Sequence, residues 1–182
     1  MKSALVIIDM LNDFLLPSGK LFFAKGQAVI GPIARLKAAF RGCGAPVVYG
    51  ADAHSEDSQE FSAWAPHCLT GSPGARIVAE LSPEAGDIVI YKDALSLFQG
   101  GVAERVLRGL DVSHLFLVGV ATEYSMKSCA LDALACGLTV TMVSDAVAGV
   151  DRREGDAERA LEAMRDAGVR FTTAQSLIAS LS

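Results

Sequence analysis

Ala4-Leu-Val-Ile-Ile-Asp9, close to the beginning of the chain, is the stretch of sequence that decides the fold. Its apolar residues are consecutive rather than alternating with polar ones, which is typical of a β-strand that is covered on both faces. Such strands occur in parallel sheets with helices packed on either side. The run stops at an acidic residue, so Asp9 is predicted at the carboxyl end of the first strand.

Comparable apolar runs recur along the chain, and helical stretches separate most of them. The predicted strands are Ala4–Ile8, Pro46–Gly50, Asp87–Tyr91, His114–Gly119, Leu138–Val143 and Val169–Thr172. The predicted helices are Val29–Arg41, Ala75–Leu81, Gly101–Gly109, Glu123–Cys136, Arg153–Ala167 and Ala174–Leu181. This alternation of strands and helices predicts an α/β fold with a parallel sheet and helices on both faces.

Length and composition restrict the class of protein. The 182 residues are enough for a single domain, 1–182, and 51% hydrophobic content excludes a disordered chain. A net charge of −5 argues against nucleic-acid partners, and no apolar run is long enough to span a membrane. The first apolar run ends at Asp9 and so does not resemble a signal peptide. The four cysteines lack a CxxC spacing, which predicts free thiols in a reducing, cytoplasmic compartment.

Polar residues that could carry chemistry follow the predicted strands. Asp9 ends the first strand, Asp52 and His54 follow the second, and Lys92 follows the third. Ligands of doubly wound sheets bind beyond the carboxyl ends of the strands, so these side chains are candidates for one site. The long irregular segment 53–74 is a second indication, because long loops in compact domains are usually functional.

A possible metal site lies in that segment. Asp52, His54, Glu60 and His67 supply two histidines and two carboxylates within sixteen positions. These are nitrogen and oxygen ligands suited to Zn²⁺, Fe²⁺ or Mn²⁺. The alternative is a polar surface loop. Cys68, next to His67, is interpreted as a small buried thiol.

The segment Gly119-Val-Ala-Thr-Glu-Tyr-Ser125 leads from the fourth strand into a helix. Unpaired N–H groups and the positive end of the helix dipole at such a position hold anions and lower the pKa of a thiol. The side chain here is Ser125, which could also be an ordinary residue of a first helical turn. Cys129 and Cys136 are assigned to the buried stripe of the helix.

These motifs together resemble the isochorismatase-like cysteine hydrolases, and most closely their nicotinamidase (pyrazinamidase) branch. The resemblance rests on Asp9-Met-Leu-Asn-Asp13-Phe14, Asp52-x-His54, Trp64-Ala-Pro-His67-Cys-Leu-Thr-Gly71-Ser-Pro-Gly74, Lys92, Gly119–Ser125 and Ala130-Leu-Asp132-Ala133. It covers nearly the whole chain, with the motifs in the family's order. It implies a three-layer α/β/α domain of Rossmann-like topology with a six-stranded parallel sheet.

The resemblance also implies a role for individual residues. Asp9 matches the general acid/base, and Lys92 matches the lysine that lowers the pKa of the nucleophile. Phe14 and Trp64 match aromatic residues that flank the substrate. A cis peptide is implied at Val120–Ala121, with the N–H groups of Ala121 and Ser125 as the oxyanion hole. The implied ligands of one divalent transition metal, zinc first and iron or manganese as alternatives, are Asp52, His54, Glu60 and His67; no organic cofactor is implied.

One position departs from the family pattern. Ser125 stands where the family has its nucleophilic cysteine. A thiol has a pKa of about 8.5, whereas a hydroxyl is far harder to ionise. We favour an engineered replacement of cysteine by serine; the alternative is a naturally weak or inactive protein.

The expected activity is hydrolysis of a small carboxamide, with nicotinamide as the leading substrate. The expected protein is a homo-oligomer with neither nucleic-acid nor membrane partners. Alternatives are hydrolysis of another small amide or a ureido compound, an isochorismatase-type reaction, and a catalytically dead domain that binds a small molecule. A dinucleotide enzyme is disfavoured because the turn after the first strand, 9–19, lacks GxGxxG.

Overall fold

The computed structural model describes residues 2–181, so the first and last residues of the predicted domain lie outside the described part. Within it, six parallel strands form one sheet in the order β3-β2-β1-β4-β5-β6. The strands are β1 (Lys2–Ile8), β2 (Val47–Asp52), β3 (Ile88–Lys92), β4 (Val112–Val120), β5 (Thr139–Ala148) and β6 (Arg170–Thr172). The predicted fold class and all six predicted strands are therefore confirmed.

Helices cover both faces of the sheet. The helices are α1 (Asn12–Leu15), α2 (Ala24–Gln27), α3 (Ile30–Gly42), α4 (Val102–Gly109), α5 (Lys127–Ala135), α6 (Asp156–Asp166) and α7 (Ala174–Leu181). Alternate residues of β1 belong to two hydrophobic cores on opposite faces of the sheet. Val6 packs with α4, α5 and α6, and Leu5 packs with α3 and α7. No helix in residues 2–181 has the length and apolar character needed to cross a membrane.

The predicted helix Ala75–Leu81 is wrong. Two short 3₁₀ turns, Pro73–Ala75 and Ala79–Leu81, stand in its place. Between them the chain is extended, because Ile77 bridges to Leu11 and the Val78 N–H donates to the Met10 carbonyl. The apolar residues of this segment are buried by that pairing and not by a helix face.

The predicted helix Glu123–Cys136 is divided in two. A π-helical turn, Thr122–Met126, precedes α5, and its backbone is kinked at Tyr124, where φ is −115° and ψ is −105°. Turns of this type occur often at functional sites. The peptide bond between Val120 and Ala121 is cis, as the resemblance implies.

The strand register places the candidate residues at one edge. Ile8 pairs with Gly50 of β2 and with Gly119 of β4, and Asp52 pairs with Lys92 of β3. The four strands β1–β4 therefore end close together. Gly119 has a φ of 125°, and a side chain there would collide with the carbonyl oxygen of Ile8, so a glycine is needed for β4 to approach β1.

Candidate active site

A cavity of about 390 Å³ opens at the carboxyl end of the sheet. It lies beyond the ends of β1 and β4, between which the strand order reverses, and this is the switch point at which doubly wound sheets bind ligands. Several elements contribute to its wall. The lining residues are Asp9, Phe14, Gly19, Lys20, Leu21, Phe22, Phe23, Asp52, Glu60, Trp64, His67, Leu95, Val120, Ala121, Tyr124, Ser125 and Val150.

Lys92 connects the polar groups at the base of this cavity. Its Nζ lies 2.9 Å from Asp9 Oδ2 and 2.5 Å from Asp52 Oδ1, and it donates to the Ala94 carbonyl at 3.0 Å. The same Nζ is 3.4 Å from Ser125 Oγ. Asp9 and Asp52 are joined directly as well, because the Asp52 N–H donates to Asp9 Oδ1 at 3.1 Å. One cation is therefore shared by two buried carboxylates and faces the candidate nucleophile.

Burial and these charges shift the pKa values of the group. Burial and the nearby Asp52 carboxylate raise the pKa of Asp9 to about 7, against the opposing influence of Lys92. Burial favours the neutral amine of Lys92, but the two carboxylates outweigh it and hold its pKa above the ordinary value. Lys92 therefore stays protonated, and Asp9 is the group able to accept and return a proton near neutral pH.

Ser125 lies in the π-helical turn with its side chain toward the cavity, and 5% of its surface is exposed. Cys129, one turn later, is fully buried and its Sγ accepts from the Leu97 N–H at 3.1 Å. Burial raises the pKa of the Cys129 thiol to about 12. Cys129 is therefore a core residue, as predicted, whereas Cys136 is only partly buried.

Three of the four proposed metal ligands come together. One ligand atom from each of Asp52, His54 and His67 lies within 4.8 Å of the others, and all three residues are buried. His54 Nε2 is 3.5 Å from Asp52 Oδ2 and, among residues 2–181, is a buried atom that has no hydrogen-bond partner. A buried nitrogen that faces a carboxylate and a second imidazole fits a divalent transition metal. Glu60 lines the same cavity but is not part of this group of three.

Two residues that contact His54 were missed from the sequence. Asp93 Oδ1 lies 2.7 Å from His54 Nδ1 and accepts from Ser58 Oγ at 2.6 Å. Burial favours the neutral ring of His54, but the Asp52 and Asp93 carboxylates outweigh it and raise the pKa of the ring to about 9. The pKa of Asp93 lies below its ordinary value, because hydrogen bonds from Ser58, His54 and Ser55 outweigh the effect of burial. The sequence did hold one indication of Asp93: it is an acidic residue directly after Lys92, at the end of a predicted strand.

Aromatic side chains form the cavity wall. Phe14 packs on His67 with ring centroids 5.5 Å apart, and Trp64 packs edge-on against Tyr124 at 5.1 Å. The Arg152 guanidinium lies 4.6 Å from the Trp64 ring centroid. Phe14 and Trp64 are thus placed where a flat ligand would contact them, and their role in binding stays a prediction. The same holds for Ala121, which lines the cavity beside Ser125.

Known proteins resemble this chain in both sequence and structure. The isochorismatase domain matches residues 3–176. Nicotinamidase/pyrazinamidase of Mycobacterium tuberculosis is 34% identical, over 92% of this chain and 97% of the relative. The crystal structure of Pyrococcus horikoshii pyrazinamidase in complex with zinc is 33% identical with a TM-score of 0.88, covering 95% of this chain and 99% of that one. N-carbamoylsarcosine amidase from Thermoplasma acidophilum is 31% identical with a TM-score of 0.87, covering 96% and 97%.

Proposed function

Because this chain belongs to the isochorismatase domain family, we propose that its site hydrolyses a small carboxamide to a carboxylate and ammonia, with nicotinamide as the leading substrate. The observation that carries the proposal is the position of the Lys92 ammonium between Asp9 and Ser125 at the base of the cavity. The similarity to nicotinamidase, pyrazinamidase and N-carbamoylsarcosine amidase supports an amide substrate and keeps a ureido compound as the nearest alternative.

The side chains define a proton path for this reaction. The nucleophile at position 125 attacks the amide carbonyl carbon while Asp9 takes its proton. The C–N bond then breaks, and Asp9 returns the proton to the departing ammonia. A water molecule next attacks the acyl carbon while Asp9 takes its proton. The bond to the nucleophile at position 125 then breaks, Asp9 returns the proton to that side chain, and the free carboxylic acid leaves. Lys92 remains an ammonium and stabilises negative charge on the nucleophile. The N–H groups of Ala121 and Ser125 are the proposed donors to the oxyanion.

A divalent transition metal is proposed at Asp52, His54 and His67, with Glu60 as a further ligand. Zinc is the leading candidate, and iron or manganese are alternatives with the same ligand preference. The buried, unpartnered Nε2 of His54 supports this proposal. When bound, such an ion supplies a Lewis acid that anchors the substrate or polarises water.

The serine at position 125 bears on whether this chain hydrolyses the molecule that it binds. We infer that serine replaces a cysteine at this position by engineering and that turnover by this chain is slow. The hydroxyl itself favours a second candidate function, which is binding of a small molecule without hydrolysis. Both functions use the same cavity, and they differ only in whether a bound molecule is hydrolysed.

We also propose a cytoplasmic homo-oligomer. The cysteines of residues 2–181 are free thiols, which supports a reducing compartment. Sedimentation equilibrium would test the assembly, and a monomer at micromolar concentration would contradict it.

An ammonia-release screen over nicotinamide, pyrazinamide, small aliphatic amides and ureido acids tests the reaction. The parent chain and the Ser125→Cys variant should be compared on each compound, with calorimetric binding of nicotinamide measured in parallel. Hydrolysis by the cysteine form supports the amidase. Binding without hydrolysis by either form would instead support the small-molecule-binding domain.

A further inference from the structure

His54 is held on the side that faces away from the cavity. Its Nδ1 lies 2.7 Å from Asp93 Oδ1, and that oxygen also accepts from Ser58 Oγ at 2.6 Å. We propose that Asp93, supported by Ser58, is a positioning residue that fixes the metal-binding tautomer and ring orientation of His54. This inference rests on the proposed metal site and concerns residues outside the proposed ligand set.

Hydrogen bonding determines which nitrogen of His54 is free. An ionised carboxylate only accepts, so the Nδ1 that faces Asp93 must carry the proton. In the neutral ring the lone pair then lies on Nε2, which points toward Asp52 Oδ2 at 3.5 Å. Without Asp93 the alternative tautomer would place a proton on Nε2 and block it as a ligand.

Asp93 is itself held in place. Its second oxygen accepts from the Ser55 hydroxyl at 3.1 Å and from the Ser55 N–H at 3.3 Å. The Asp93 carboxylate therefore links the end of β3 to the residues that follow β2 through hydrogen bonds. The side chain of Asp93 is 39% exposed, so its replacement removes little buried surface and should spare the fold.

His67 provides a comparison within the same site. Its Nδ1 lies 2.8 Å from a backbone carbonyl, that of Ala65, which sets its tautomer without a side chain. Both imidazoles thus present Nε2 to the metal position. The group at His54 Nδ1 is the Asp93 side chain, which a substitution can remove, whereas the group at His67 Nδ1 is a backbone carbonyl, which a substitution leaves in place. Outer groups of this kind typically contribute about 10–100-fold to metal affinity.

Titration of the metal-free full-length chain with Co²⁺, followed by its visible absorption, tests the inference. Asp93→Ala should weaken Co²⁺ binding about 10–100-fold. Asp93→Asn should weaken it less, because the amide oxygen still accepts from Nδ1–H without the charge. Asp57→Asn is the matched control: Asp57 is an exposed acid in the loop after β2 that also holds Ser55 and Ser58, and its variant should bind as the parent does.

Nitrogen-15 NMR of the imidazole rings supplies a second readout, since the chain has three histidines. In the zinc-loaded parent and in Asp57→Asn, His54 should show a protonated Nδ1 with zinc on Nε2. In Asp93→Ala its ring signals should broaden or shift, while those of His67 stay unchanged. Ser58→Ala, which keeps the carboxylate, should show a smaller change of the same kind.

The outcomes separate two failures. If the parent binds Co²⁺ and Asp93→Ala matches Asp57→Asn in both affinity and ring signals, the positioning role is wrong while the metal site stands. A parent chain that binds no Co²⁺ overturns the metal site and this inference together. Neither result depends on amide hydrolysis, which is measured separately.

Discussion

Restoring a cysteine at position 125 should increase amide hydrolysis by about 10³-fold or more. The site already holds the groups that a thiol needs: Lys92 Nζ lies 3.4 Å from Ser125 Oγ, and Asp9 contacts the same ammonium at 2.9 Å. The serine side chain faces a cavity of about 390 Å³, so a sulfur atom has room there. The change therefore alters the nucleophile and leaves its surroundings in place.

The magnitude follows from the acidity of the two side chains. A thiol has a pKa of about 8.5, whereas bulk water, a fair guide to an alcohol, has about 15.7. If roughly half of this gap is expressed in the transition state, about three to four powers of ten separate the two nucleophiles. That corresponds to about 4–5 kcal/mol of activation free energy. Lys92 favours the anion of either side chain, but it is shared with two carboxylates and cannot close such a gap.

Ammonia release at saturating nicotinamide should be measured for the parent, Ser125→Cys and Ser128→Cys. Ser128 lies in α5, outside the cavity lining, so it controls for an added thiol elsewhere. Iodoacetamide should modify position 125 much faster than the buried Cys129. Equal rates for parent and Ser125→Cys on a substrate that both hydrolyse would refute the assignment of position 125 as the nucleophile.

Three further variants test the surroundings of the nucleophile. Lys92→Met, made in the Ser125→Cys background, leaves two buried carboxylates without their cation. Hydrolysis should therefore fall to background, and the free energy of unfolding measured by urea denaturation should fall by about 3–5 kcal/mol. Retained hydrolysis would contradict the catalytic role of Lys92. His67→Ala should remove most of a metal that elemental analysis finds at about one ion per parent chain. Gly119→Ala should lower the free energy of unfolding by at least ~2 kcal/mol more than Gly44→Ala does. Both glycines have a positive φ, but of the two only Gly119 has neighbouring atoms that an added side chain would meet. Equal unfolding midpoints for the two variants would contradict the close approach of β1 and β4.

Strands were predictable because their signal is local. A strand covered on both faces is apolar at every position, as in Ala4–Ile8, and the register of a parallel sheet then brings the strand ends together. Asp9, Asp52 and Lys92 could therefore be grouped from the sequence. The helix predicted at Ala75–Leu81 failed because its apolar residues are buried by pairing with Leu11, a contact distant in sequence.

The site was less predictable where it depends on loops. Asp93 and Ser58 are 35 positions apart, and only the return of the loop after β2 brings them to one hydrogen bond. Neither belongs to a motif with a fixed spacing. Glu60 has a spacing suited to a ligand and lines the same cavity, but it is not grouped with Asp52, His54 and His67, so its role as a ligand stays a prediction.

Ser125 separates binding from turnover in this site. The groups that would hold a flat amide, which are the aromatic wall at Phe14 and Trp64 and the polar base at Lys92, do not depend on the atom at position 125. The acidity of that atom affects only the step in which it becomes a nucleophile. A serine should therefore lower kcat by several powers of ten while changing substrate affinity little, because ground-state contacts are preserved. An affinity lost together with turnover would mean that the nucleophile also anchors the substrate, and the cavity wall would then have a smaller part in recognition.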